Sequence, residues 1–262
     1  MTAPALAEAR VAGVSFSVLG GGEPVTVFAH GLGGSSAEVR PLAARAPGTR
    51  ALLSFRGHGD SDALPGGWDY DLLAADVLAV ADHVGASACV GLSVGSGALL
   101  RVLRDAPHRF DRLAFVLPAA LDATRTDGAG LRLARLGDAI DAGDAARVSA
   151  LLLGEVPAHL QSSRAVRLLL HRRATELVRR PAPVPLRADR PLQDRAVLHD
   201  VRAACLVVGQ QDDPLHPLAL AQELAEVLPA ASLLALPAGG VFWTAARAVQ
   251  SALAEHLTVE VP

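Results

Sequence analysis

Lysine is absent: the 24 basic residues of the 262-residue chain are all arginine. That excludes a Walker A phosphate loop and a lysine Schiff base, both of which need the ammonium group. Aromatic residues are scarce, 3% of the chain, and 27 carboxylates leave a net charge of −3. The chain therefore offers neither a basic face nor a row of stacking rings for nucleic acid. Cysteine occurs only at Cys89 and Cys205; two thiols so placed make no disulfide scaffold and lack metal-ligand spacing, which points to a reducing cytoplasm and to no metal. Although 51% of residues are hydrophobic, no stretch approaches the roughly 18 uncharged apolar residues of a membrane span. The first residues also lack a basic head followed by an apolar run. The expectation is a cytoplasmic, unprocessed protein that engages neither membrane nor nucleic acid, of a length that suits one large α/β domain.

What is present is alternation of strand and helix signals. Val11 to Val18 alternates, Gly20, Gly21 and Gly22 break it, and Val25 to Ala29 resumes as an apolar run, which reads as a hairpin. Ser36 to Ala46 suits a short helix and Ala51 to Phe55 a buried strand. Asp69 can cap a helix whose apolar residues Leu73, Val77, Val80 and Val84 share one face. Cys89 to Leu92, Leu113 to Leu117, Ala203 to Val208 and Ser232 to Leu236 read as further strands. Helices are expected at Val94 to Arg104, Leu218 to Leu228 and Phe242 to Leu257. Such a rhythm belongs to a parallel sheet covered on both faces. It fails between Asp122 and His199, where leucines fall at helical spacing among many arginines. That segment reads as an all-helical insertion whose return, Pro181 to Pro191, is an extended proline-rich linker.

Two motifs carry chemistry. Gly91-Leu92-Ser93-Val94-Gly95 fits GxSxG between a predicted strand and a predicted helix. A serine on so sharp a turn projects its hydroxyl above the sheet, the glycines remove side chains that would collide, and the N–H of Val94 is placed to stabilise an oxyanion. His30-Gly31-Leu32-Gly33-Gly34-Ser35 directly follows an earlier strand, and the N–H of Leu32 is its natural second donor. Phe55-Arg56-Gly57-His58-Gly59-Asp60-Ser61 follows the next strand; there Arg56 and His58 read as loop-fixing residues.

From about Val11 to Leu257 the chain resembles the α/β-hydrolase fold superfamily. The resemblance implies an eight-stranded, mostly parallel sheet with a helical cap inserted after the sixth strand. Residues 1–121 and 200–262 would form the core, and 122–199 the cap with its return linker. It also implies a triad in the chain order serine, acid, histidine. Ser93 maps onto the nucleophile. For the acid, the turn Gly209-Gln210-Gln211-Asp212-Asp213-Pro214-Leu215-His216-Pro217 leaves two choices: counting from Gly209 favours Asp212, whereas the Asp-Pro-Leu-x-Pro tail favours Asp213, which is preferred. Asp122, after the sixth strand, competes. In the strand order the resemblance implies, Cys89 and Cys205 lie about two strand spacings apart, beyond disulfide reach.

The histidine departs from the pattern. Where the superfamily carries Gly-His-Phe after the last strand, this chain has Gly239-Gly240-Val241-Phe242-Trp243, with Val241 at the place of the base. Valine cannot take a proton. Substitutes on the catalytic edge are His216, His30 and, less directly, His58, with His216 preferred. His30, Val241 and Phe242 are expected to line the substrate pocket, and some of Leu168, Leu169 and Leu170 to line a lid. The leading reading is a serine hydrolase of an apolar carboxylic ester, thioester or lactone, using Ser93, Asp213 and His216 with Leu32 and Val94 as oxyanion donors. It would act on a small molecule without metal or organic cofactor. The competing readings are a triad-deficient relative doing lyase, cyclase or isomerase chemistry, and a non-catalytic small-molecule binder. Oligomeric state is left open.

Overall fold

Eight strands join in one sheet in the computed structural model, which describes residues 7–64, 67–123, 128–179 and 190–258. β1 (Ala7–Val11) and β2 (Val14–Gly20) form an antiparallel hairpin. They are followed by β3 (Val25–Ala29), β4 (Thr49–Ser54), β5 (Ala88–Leu92), β6 (Arg112–Val116), β7 (Ala204–Gln210) and β8 (Ala231–Leu236). Their order is β1-β2-β4-β3-β5-β6-β7-β8. β2 pairs antiparallel with β4, and every pair from β4 onward is parallel.

The hairpin expected between the alternating stretch and the run from Val25 does not form. β2 pairs with β1 and β4, while β3 lies beyond β4 and runs parallel to it. All five residues of β3 are buried, and a strand apolar on both faces is satisfied only inside a sheet with helices above and below.

Side-chain alternation sorts the strands into two cores. On one face Val27, Cys89, Leu113 and Val207 pack against α2 (Tyr70–Val84), α3 (Val94–Asp105) and α7 (Leu218–Val227). On the other, Phe28, Val90, Ala114 and Val208 meet Val39 of α1 (Ser36–Val39) and Val249, Leu253 and Leu257 of α8 (Ala246–Leu257). α2 forms as its sequence dictates: the Asp69 side chain accepts from the Leu72 N–H at 2.8 Å, and Gly85 closes the helix at φ +69. The helix expected over Ser36 to Ala46 is divided, with α1 ending before Pro41 and a short 3-10 turn at Leu42–Arg45; proline has no N–H to continue the ladder. The last helix is preceded by a π turn at Gly240–Thr244. Cys89 and Cys205 have Leu113 of β6 between them; both are free and buried. Burial pushes the Cys205 thiol up to about 12.

Between β6 and β7 stand the cap helices α4 (Gly128–Asp141), α5 (Ala145–Leu153) and α6 (Arg164–Arg179), sharing a small core of Leu136, Ala139, Ile140, Val148 and Ala174. Residues 181–189 of the predicted proline-rich return lie outside the described residues. Its end is tied down by buried Arg101, whose Nε donates to the Pro191 carbonyl at 2.6 Å. No helix among the described residues is long and apolar enough to cross a membrane.

Candidate active site

β5 runs straight into α3 through Ser93, which takes φ +51 and ψ −108. A non-glycine residue at positive φ is strained and persists only where its neighbours hold it. Here the Ser93 N–H donates to the Val116 carbonyl of β6 at 2.9 Å, and the Ser93 carbonyl accepts from Gly97 at 3.2 Å. The flanking glycines are required by close approach. A Cβ on Gly91 would lie 2.5 Å from the Gly95 carbonyl oxygen, and one on Gly95 would lie 2.5 Å from that of Ala29. Val94 is the first residue of α3, so its N–H has no partner within the helix and points from the positive end of the dipole.

The partner of the Ser93 hydroxyl comes from 123 residues further on. His216 Nε2 lies 2.9 Å from Ser93 Oγ. Its ring is held from the other side by Asp213, whose two carboxylate oxygens each lie 3.1 Å from Nδ1. Both residues belong to one turn after β7. Asp213 Oδ1 accepts the backbone N–H of Leu215 at 2.8 Å and of His216 at 2.9 Å, a side-chain-closed turn typical of aspartate before proline. Burial alone would raise the Asp213 carboxyl, but bonds and charge from His216 and the two N–H groups hold it below its usual range. An ionised Asp213 accepts from Nδ1–H, which leaves the Nε2 lone pair facing the serine proton.

The other carboxylates are elsewhere. Asp212, at φ +54, borders the cavity but is not bonded to His216. Asp122 is engaged by Arg195, with Nη2 2.6 Å and Nε 2.8 Å from its oxygens, and this contact holds its carboxyl below the usual range. Val241, at the place where the resemblance calls for the base, is buried in the π turn, and both it and Phe242 line the cavity.

His30 does not line the pocket. It is fully buried beneath the loop: Nε2 accepts the Phe55 N–H at 3.0 Å, so Nδ1 carries the proton and donates to the Gly31 carbonyl at 2.6 Å. The backbone folds over the ring because Gly31 to Gly34 close a turn, Gly34 N–H donating to Gly31 O at 3.1 Å. Burial, reinforced by the neighbouring His58, pushes the His30 imidazole well below its usual range. It therefore stays neutral and orients a peptide. Leu32 borders the cavity, and its N–H makes no hydrogen bond among the described residues. His58 is buried as well, its Nδ1 3.3 Å from the Arg56 carbonyl, and Arg56 pairs with buried Asp76 at 2.6 Å.

Between core and cap lies a cavity of about 930 Å³, walled mainly by apolar groups such as Leu133, Leu136, Leu152, Leu170 and Trp243. Of the three leucines preceding His171, only Leu170 faces inward; Leu168 and Leu169 are 49% and 56% exposed, because three consecutive residues span most of a helical turn. Sequence reasoning did not find three polar residues of the wall, Glu38, Glu155 and Arg173. Burial raises the Glu155 carboxyl, opposed by Arg132 at 3.5 Å and by His216, while the Asp213 charge adds to the rise. Nothing in the spacing of an arginine-rich helix marks Arg173 from its neighbours. Among the described residues no group of His, Cys, Asp and Glu side chains is arranged to hold a metal ion.

A family model described as "Alpha/beta hydrolase family" matches residues 26–252. Among solved structures the chain is similar to an esterase from Exiguobacterium antarcticum, with 19% identity, a TM-score of 0.76, and 95% of this chain and 98% of that one covered. It is also similar to an alpha/beta hydrolase from Sphaerobacter thermophilus, at 23% identity and TM-score 0.73, covering 96% and 100% of the two chains. An esterase from a Rhodococcus species follows at 19% and 0.73, covering 97% and 99%. At such identities the likeness speaks for the fold. No curated protein matches the sequence.

Proposed function

The chain belongs to the alpha/beta hydrolase family, and from that premise we propose that it hydrolyses a largely apolar carboxylic ester, thioester or lactone through an acyl-enzyme on Ser93. The observation that carries this is the line of contacts Ser93 Oγ, His216 Nε2 at 2.9 Å, and Asp213 at 3.1 Å from Nδ1. His216 takes the Ser93 proton as Oγ attacks the acyl carbon. The N–H groups of Val94 and Leu32 stabilise the oxyanion of the tetrahedral intermediate. Collapse expels the alcohol or thiol, which receives the proton from His216, and a lactone keeps its alcohol tethered. Water, deprotonated by the same imidazole, then attacks the ester carbonyl on Ser93 and releases the acid. The apolar cavity above the serine supports an apolar substrate. The esterases among the structural neighbours support the reaction class.

The triad-deficient reading is motivated by Val241; His216 Nε2 at 2.9 Å from Ser93 Oγ supports the hydrolytic reading over it. A fluorophosphonate probe tests the choice. Wild-type protein should be labelled on Ser93 and should hydrolyse a p-nitrophenyl acyl ester, and Ser93→Ala should lose both. His216→Ala should lower kcat on the order of a million-fold, as removal of a base from an intact triad does. Full activity in Ser93→Ala would dismiss the acyl-enzyme, full activity in His216→Ala would remove His216 as its base, and turnover of a natural substrate without Ser93 would install the non-hydrolytic reading in its place.

A further inference from the structure

One face of α6 presses on the loop that carries Leu32. Arg173 and Leu177 stand one turn apart on it. Arg173 Nη2 donates to the Leu32 carbonyl at 3.0 Å. Leu177 packs on Gly33, at φ +64, so closely that an added Cβ there would lie 2.0 Å from its Cδ2. Arg173 Nη1 also pairs with Glu38 Oε1 at 2.6 Å, and the second oxygen of Glu38 accepts the Gly31 N–H at 3.0 Å. The side chain of Leu32 packs against both the core and the cap clusters. Cap and loop are thus joined by an ion pair, a backbone bond and apolar contact.

The orientation of three successive peptides follows. The peptide joining Gly31 to Leu32 bears the N–H assigned above to the oxyanion. Its carbonyl is held by His30 Nδ1 and Gly34 N–H, and in a trans peptide the N–H points opposite to the carbonyl. The peptide before it is held through Gly31 N–H by Glu38, and the one after it through the Leu32 carbonyl by Arg173. Of the four groups that hold these peptides, two are linked through one guanidinium that belongs to the cap: Arg173 itself and the Glu38 it pairs with. A planar fork can engage a carboxylate and a carbonyl together, which a lysine ammonium does poorly.

We propose that Arg173 is a positioning residue through which seating of the cap orients the oxyanion loop, so that the Leu32 donor is aligned only while α6 is docked. The catalytic consequence rests on the acyl-transfer reading; the mechanical link between α6 and the loop does not. Removing a whole oxyanion donor costs about 100- to 1,000-fold in kcat, and a donor left in place but loosened should cost less, roughly 10- to 100-fold.

Two measurements on the full chain decide it. In p-nitrophenyl ester hydrolysis, Arg173→Ala should lower kcat about 10-fold or more while KM stays within about threefold, and Arg173→Lys should recover only part. In hydrogen exchange, backbone amides of residues 31–34 should exchange faster in Arg173→Ala, with the sheet unaltered. Glu38→Gln, which keeps an acceptor for Gly31 but loses the charge, should move both readouts the same way by less, and it serves if Arg173→Ala fails to fold. Wild-type kcat, a change confined to KM, or unchanged exchange in this loop would overturn the proposal while leaving Ser93 chemistry untouched. A wild-type chain that turns over no ester would instead count against the hydrolase reading, and the exchange result alone would then decide the role of Arg173.

Discussion

His216 and the carboxylate bonded to its ring sit three residues apart, so one turn supplies both the proposed base and the group that sets its tautomer. Asp213 serves this turn twice, through two backbone N–H bonds and through the ring. Asp213→Asn should therefore lower kcat about 10,000-fold, because an amide can donate to Nδ1 and favour the unproductive tautomer. Asp122→Asn gives the contrast. Its carboxylate is committed to Arg195 near the cap's return, so kcat should stay at wild type while the urea midpoint falls by no more than about 1 kcal/mol equivalent, both partners being partly exposed. A loss of turnover in Asp122→Asn would move the acid to the sixth strand. Both carboxylates follow strands and look alike in sequence. The Asp-Pro tail favoured Asp213 over its neighbour Asp212, since the turn it writes is local, but nothing in the sequence set Asp122 aside. His30 shows the opposite case: a histidine in the oxyanion loop looks like a pocket residue until its ring is seen bonded to Phe55 and Gly31 from below.

At the scale of elements, the β5–α3 junction is where local sequence and tertiary contact meet most tightly. Gly95→Ala would drive a Cβ into the carbonyls of Ala29 and His30. Because both are backbone of the oxyanion strand and loop, they cannot rotate away. The variant should lose roughly 1–3 kcal/mol in urea unfolding, the usual cost of overpacking, and should label more slowly with fluorophosphonate. A wild-type midpoint would mean that the elbow relaxes freely. The elements themselves were largely legible. Buried strands such as β3 and β5 are short apolar runs, and α2 announces its cap, its face and its glycine stop. Their partners were not. A hairpin was expected where β2 and β3 end up separated by β4, because hydrophobic periodicity records which side of a strand is buried and says nothing about which strand lies beside it.

For the whole molecule, the consequence lies in acid. His30 and His58 are buried and His256 is half-buried, and removal from water lowers all three imidazoles below their usual range. The unfolded chain binds protons at these sites more readily than the folded one. Their contribution to stability is therefore complete above about pH 6.5 and is lost as the pH falls from there toward the folded values. Urea midpoints at pH 7.5, 6.0 and 5.0 should decline, with a slope of up to about 1.4 kcal/mol per pH unit for each histidine. A flat profile would mean that the buried rings accept a second proton in place. His30 should be the most sensitive of the three, since its Nε2 faces the Phe55 N–H and a proton there would set donor against donor.

Local sequence by itself determined the strand and helix segments, the serine at its strained bend, the glycines around it and the turn joining Asp213 to His216. Each of these depends on residues within a few positions of one another, where backbone sterics and short-range hydrogen bonds decide. The meeting of His216 with Ser93 across 123 residues, the burial of His30 and the grip of Arg173 on Leu32 were decided only by the tertiary structure. These are contacts between segments whose approach is set by how two faces of a sheet and a cap pack together, and packing of that kind leaves no period in the chain.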